Sequence, residues 1–134
     1  MKTQNNRHAF KVVITELDEI SNELARPNED VVTIAVCSGA RRALSNLMEL
    51  FLQHETGDFF ENTNLEMMLA ECKKFGNEFD KIDLSNVLCH ELNETECTGK
   101  YCLDLNRVSD CIKIAHQLKE IIFLKLNIKE AELI

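Results

Sequence analysis

Apolar residues recur at steps of three and four along most of the chain, with polar residues between them. This spacing is typical of the buried stripe of an α-helix. The longest such segment covers residues 31–51, and its stripe consists of Val32, Val36, Ala40, Ala43, Leu47 and Phe51. Because its small residues let a neighbour approach closely, this segment is predicted to be the central helix of a bundle.

The same periodicity predicts three more helices, at residues 6–26, at 65–76, and from a cap at Asp104 or Asn106 to 126. Pro27 ends the first helix because proline lacks a backbone donor. Asn28 suits the N-cap of the second helix, and Thr63 with Glu66 fits a capping box before the third. Residues 77–91 predict a short fifth helix or broken turn, and residues 93–101 a loop.

The chain has 134 residues, which fits a single domain covering residues 1–134. Its net charge is −8, which disfavours non-specific binding to nucleic acid. No apolar run approaches the length of a membrane span, and residues 1–8 are polar, so we expect no signal peptide, no membrane association and a cytoplasmic location.

Six cysteines are present, and in a reducing compartment free thiols are expected. Four soft ligands lie within fourteen residues: Cys89, His90, Cys97 and Cys102. They supply the number of ligands that a tetrahedral zinc requires, although the gaps do not match a C-x2–4-C knuckle. The alternative is three unlinked thiols beside a loop histidine, with no cofactor.

Arg41 and Arg42 adjoin the small residues Ser38, Gly39 and Ala40, and a guanidinium there could bind a phosphate or carboxylate. The alternative is a pair of surface arginines that contact acidic residues of the first helix. No Glu-x-x-His pair, nucleophile elbow or phosphate-binding glycine loop occurs, so no catalytic residue is assigned.

Two segments, AVCSGARRALSNLM at 35–48 and RVSDCIKIAHQL at 107–118, resemble the second and closing helices of HEPN domains. The similarity extends over residues 10–126. It implies an all-α, up-and-down antiparallel four-helix bundle with a short additional helix, commonly a homodimer. HEPN-like proteins are associated with nucleotide binding, metal-independent ribonuclease activity, and toxin–antitoxin or defence systems, and they often pair with a small nucleotidyltransferase.

Ribonucleases of that family carry an arginine followed, after four to six residues, by a histidine. Here Arg107 and His116 have eight residues between them, so on one continuous helix they face opposite sides. We therefore expect a non-catalytic interaction or binding module rather than an enzyme. The alternative is a nucleotide-binding protein or unconventional metal-independent ribonuclease that uses Arg41, Arg42, Arg107 and His116.

Apolar residues outside the main stripes of the second and last helices predict a homodimer, because one small bundle has few places to bury two apolar faces. These flanking residues are Val31, Ile34, Leu50, Leu52, Ile114, Ile121, Phe123 and Leu124.

Overall fold

The computed structural model describes residues 2–27, 31, 33–58, 64–84, 97–98, 101–102 and 105–129. These residues contain four α-helices, which are α1 (Lys2–Leu24), α2 (Thr33–Thr56), α3 (Leu65–Lys73) and α4 (Leu105–Leu126). A 3-10 helix covers Asn77–Lys81, and two short strands, β1 (Cys97–Thr98) and β2 (Tyr101–Cys102), pair antiparallel. Apart from this ladder the described chain is helical, which confirms the predicted all-α class.

The predicted helix positions are confirmed, and their ends differ in detail. The cap of α3 is Asn64, one residue later than the predicted Thr63, because the Asn64 side chain accepts a hydrogen bond of 2.8 Å from the Met67 backbone N–H. The segment predicted as a short helix or broken turn begins with the 3-10 helix, which ends at Lys81, and residues 82–84 follow it in non-helical chain. The predicted loop at 93–101 contains β1 and the first residue of β2. Asn28 and residues 85–91 lie outside the described residues.

One apolar cluster joins all four helices and the 3-10 helix. The predicted stripe of α2 is fully buried at Val36, Ala40, Ala43, Leu47 and Phe51, whereas Val32 lies outside the described residues. The predicted stripe of α4 is likewise buried, at Val108, Cys111, Ile112, Ala115, Leu118 and Ile122. Burial of these side chains from water is the main force that holds the helices together.

Helix α1 runs opposite to both α2 and α4. Phe10 packs edge-to-face on Phe123, with ring centroids 5.6 Å apart, whereas Ser21 lies 3.0 Å from an earlier residue of α4, His116. Ile20 lies beside Gly39 of α2. Residues 8–13 lie beside residues 46–53, so the start of α1 is near the end of α2. Helix α2 contacts α1, α3 and α4, which agrees with its predicted central position.

Two helices end on a residue with positive φ. Gly57 (φ 80°) follows α2 and donates to the Gln53 carbonyl at 2.8 Å. Asn127 (φ 56°) follows α4, where Ile128 N–H donates to the Phe123 carbonyl at 2.8 Å and Asn127 N–H to that of Leu124 at 3.3 Å. This pattern is a Schellman motif, and it directs the half-buried Ile128 back onto the core.

Candidate functional site

An open groove of about 390 Å³ lies where the ends of α2 and α4 meet the segment that follows α3. We call it the Leu124 groove. Its lining residues are Phe51, Glu55, Phe75, Glu78, Leu124 and Lys125. It combines apolar side chains with both signs of charge.

Aromatic rings form the base of the Leu124 groove. Phe51 of α2 is fully buried and contacts Phe75 edge-to-face at a centroid distance of 5.8 Å. On another side Phe51 contacts Phe79 of the 3-10 helix at 5.0 Å. Phe51 and Phe79 are both fully buried, so the aromatic ring that the groove exposes is that of Phe75.

Lys125 and Glu78 form the charged edge of the Leu124 groove. Lys125 Nζ lies 3.0 Å from Glu78 Oε2 and 5.9 Å from the centre of the Phe79 ring. The lysine side chain passes Gly76 so closely that a β-carbon there would collide with its Nζ and Cε atoms. The pKa of Glu78 lies below its ordinary value, first because its carboxylate accepts its own backbone N–H and second because Lys125 donates to it.

The other edge of the Leu124 groove exposes apolar surface. Leu124 is 83% exposed and Phe75 is 37% exposed, whereas the apolar seam of α4 is buried. An exposed apolar patch with a polar rim is one form that an interaction surface takes. The groove can therefore accept an apolar side chain and pair with charges around it.

A second groove, of about 440 Å³, lies between α1 and α2. Its lining includes the 43% exposed Val12 and the half-buried Leu50, with His8 and Glu49 among the polar residues. The most exposed apolar residue of this α1–α2 groove, Val12, is less exposed than Leu124 is. The groove provides a natural control surface for binding experiments.

The four predicted ligand-binding residues lie on two helices. His116 is half-buried, and its Nε2 lies 3.0 Å from Ser21 Oγ, so it joins α4 to α1. Arg41 is half-buried on α2, whereas the adjacent Arg42 is exposed. The backbone of Arg107 belongs to α4, and its side chain lies outside the described residues.

α4 is one continuous helix from Leu105 to Leu126. The nine-residue step from Arg107 to His116 corresponds to two and a half turns, so these positions lie on opposite faces. His116 contacts Ser21, which is 95 positions away in the chain. No local sequence signal points to that pair, and sequence reasoning missed it.

Only two of the four residues predicted to bind zinc are among the described residues. Cys89 and His90 lie outside them, whereas Cys97 and Cys102 stand directly opposite each other in the strand ladder. Among the described residues, no group of three or more potential metal-binding side chains comes together. Cys37, Cys72 and Cys111 are buried thiols, and burial raises the pKa of Cys72 to about 12, with a smaller contribution from Glu71.

Two of the residues predicted for a dimer interface lie in the core of the single chain. Leu52 is fully buried and Phe123 is 7% exposed, whereas Leu124 remains on the surface.

None of the helices in the described ranges has the length and apolar character needed to cross a bilayer. Comparisons with protein-family models, with curated proteins and with solved structures found no significant match.

Proposed function

We propose that this protein is a non-catalytic binding module that acts as a homodimer in the cytoplasm. In this proposal the helices form an up-and-down antiparallel bundle of the HEPN-like type. Support for the arrangement comes from the opposite directions of α1 and its two neighbours, fixed by the Phe10–Phe123, Ser21–His116 and Ile20–Gly39 contacts.

The observation that carries the proposal is the exposure of Leu124 beside an open groove. Leaving a leucine side chain in water forgoes roughly 1.5–3 kcal/mol that burial would provide. A protruding leucine next to a groove is self-complementary under two-fold symmetry, since each copy offers both the side chain and the site that accepts it. A second copy of this chain is therefore the occupant that the Leu124 groove fits.

The charges around the Leu124 groove favour the same occupant. Lys125 pairs with Glu78 at the charged edge, and Glu55 is a further acidic residue of the lining. In a two-fold dimer through the groove, each copy would place charges of both signs against the same set on its partner. Such complementarity sets the register of two copies and disfavours partners with a single sign of charge.

A role in a toxin–antitoxin or defence system, with a small nucleotidyltransferase as a further partner, is proposed on the HEPN resemblance of residues 35–48 and 107–118. The alternative function, nucleotide binding or metal-independent ribonuclease activity, would need Arg107 and His116 to act together. Their positions on opposite faces of α4 make that possible only across two copies of the chain.

Light scattering over a concentration series tests the proposal through a matched pair of variants. We expect the wild-type protein to reach the mass of a dimer and Leu124→Lys to remain a monomer, because a buried unpaired charge would oppose association. Val12→Lys places the same charge at an exposed valine in the α1–α2 groove and should leave the dimer intact. A wild-type protein that stays monomeric at every concentration would refute the proposal, and dissociation by Val12→Lys alone would move the interface to the other groove.

A further inference from the structure

Two cysteines occupy paired positions in the short strand ladder that precedes α4. Cys97 of β1 is the direct partner of Cys102 in β2, and Thr98 is the partner of Tyr101. The ladder is antiparallel, and β2 lies against α2. Four residues of backbone therefore hold this pair of cysteines in register.

The spacing of an antiparallel ladder suits a disulfide. Directly opposite residues have Cα atoms about 4.5 Å apart at non-hydrogen-bonded positions and about 5.5 Å apart at hydrogen-bonded ones. Both values lie inside the range of roughly 4.4–6.8 Å that disulfides span. The register of Cys97 and Cys102 thus allows a bond without a change in strand pairing.

The three cysteines in the helices are poorly suited to compete for this reaction. Cys37, Cys72 and Cys111 are all buried, and each belongs to a different helix. A buried thiol is screened from a dissolved oxidant, and the thiolate is the reactive form. Oxidation of the folded chain should therefore spare these three thiols.

We propose that Cys97 and Cys102 are a dithiol modification site, which a small disulfide such as oxidised glutathione converts reversibly into an intrachain disulfide. One cysteine thiolate attacks the small disulfide and releases one small thiolate, which leaves a mixed disulfide on the protein. The second cysteine thiolate then attacks the protein sulfur of that mixed disulfide and releases the other small thiolate. The two protons lost by the cysteines pass to the two released thiolates, so two protein thiols are oxidised and one small disulfide is reduced.

The bond would fix the ladder next to the central helix. It closes a ring over residues 97–102 and removes the freedom of β1 to separate from β2. Because β2 contacts α2, the oxidised chain would hold both strands against the bundle. Cytosolic disulfides of this kind are usually transient and serve to sense redox conditions.

Peptide mass mapping of the full chain in glutathione buffers of stepped ratio tests this proposal. After acid quench and alkylation, we expect one disulfide joining Cys97 to Cys102, fully reversed by dithiothreitol, while Cys37, Cys72 and Cys111 are recovered as unreacted thiols. Cys97→Ser and Cys102→Ser should each abolish the bond and accumulate the mixed disulfide on the remaining cysteine. Circular dichroism of both variants should show unchanged helix content.

Three results would overturn the proposal. The first is a disulfide that joins Cys89 to either strand cysteine in the folded wild-type protein. The second is persistence of both thiols under fully oxidising glutathione. The third is purified protein that holds one equivalent of zinc and loses it when either Cys97 or Cys102 is replaced by serine, since that would make them metal ligands.

Discussion

A β-carbon added to Gly39 would lie 2.5 Å from Cδ1 of Ile20 and 2.7 Å from its Cγ1. Glycine at this position of α2 therefore lets α1 approach until the isoleucine side chain occupies the space that a side chain of residue 39 would need. The predicted close approach of a neighbouring helix to the small residues of α2 is realised at this contact.

Gly39→Ala should destabilise the protein by about 1 kcal/mol. Alanine gains about 1 kcal/mol of helix propensity over glycine, but displacement of Ile20 in a packed interface costs roughly 1–3 kcal/mol. In an Ile20→Ala background the collision is absent, so the same Gly39→Ala change should be stabilising. Urea unfolding of the four proteins in this cycle measures both effects, and an equal effect of Gly39→Ala in the two backgrounds would contradict the contact.

Replacement of Asn127 tests the end of α4. Its positive φ is tolerated by glycine and asparagine but costs roughly 1–2 kcal/mol for other residues. Asn127→Ala should therefore lower the free energy of unfolding by about 1 kcal/mol, whereas Asn127→Gly should leave it equal or higher. If thermal or urea unfolding instead showed Asn127→Ala to be more stable than Asn127→Gly, the Schellman motif would not form.

The Cys72 thiol should make stability fall in alkali. The pKa of this thiol is about 12 in the folded protein, against an ordinary value of 9.0 that we take for the unfolded chain. Above pH 9 the unfolded chain therefore loses the thiol proton while the folded chain keeps it. The stability that the protonated thiol contributes is present in full below pH 9 and is lost as the pH rises towards 12. Urea unfolding between pH 8 and 10 should show a shallower decline for Cys72→Ala than for the wild-type protein, and identical slopes would contradict burial of the thiol.

Lys125→Met should raise the pKa of Glu78 towards its ordinary value. The shift should be incomplete, because the bond from the Glu78 backbone N–H, the larger cause, remains. Because the pKa of Glu78 is lowered by folding, its carboxylate stabilises the folded protein at pH values above the ordinary pKa of glutamate. This stabilisation is lost as the pH falls through the pKa that Glu78 has in the folded protein. Carboxyl NMR titration measures the change directly.

Lys81→Met is the matched control for this titration, because Lys81 acts on Glu78 through charge alone and more weakly than Lys125 does. A smaller upward shift is expected for it. A larger shift from Lys81→Met than from Lys125→Met would show that the Lys125–Glu78 ion pair does not form.

Most of the fold was predictable from the sequence because helix seams are a local periodic signal. The stripes of α2 and α4 were named residue by residue and are buried where the structure describes them. The strand ladder was not predicted, since two-residue strands carry no measurable alternation. The 3-10 helix falls in the segment predicted as a short helix or broken turn, and periodicity could not decide between the two because the core residues at 79, 82 and 84 do not share one helix.

The candidate site was much less accessible to sequence reasoning. Leu124 was named for its position outside the seam of α4, but Phe123 and Leu52, named for the same reason, are buried. Which flanking residue reaches the surface depends on how the helices are rotated against one another, and periodicity does not record that rotation. Likewise, nothing local indicates that Lys125 would extend past Gly76 to Glu78.

An isotope-filtered NOE experiment on a mixture of labelled and unlabelled chains tests the central claim most directly. The account predicts cross-peaks between the methyl groups of Leu124 in one copy and the ring protons of Phe75 in the other, and none from the methyl groups of Val12. A dimeric sample that lacks the Leu124–Phe75 cross-peaks, or that shows intermolecular contacts from Val12 instead, would contradict it.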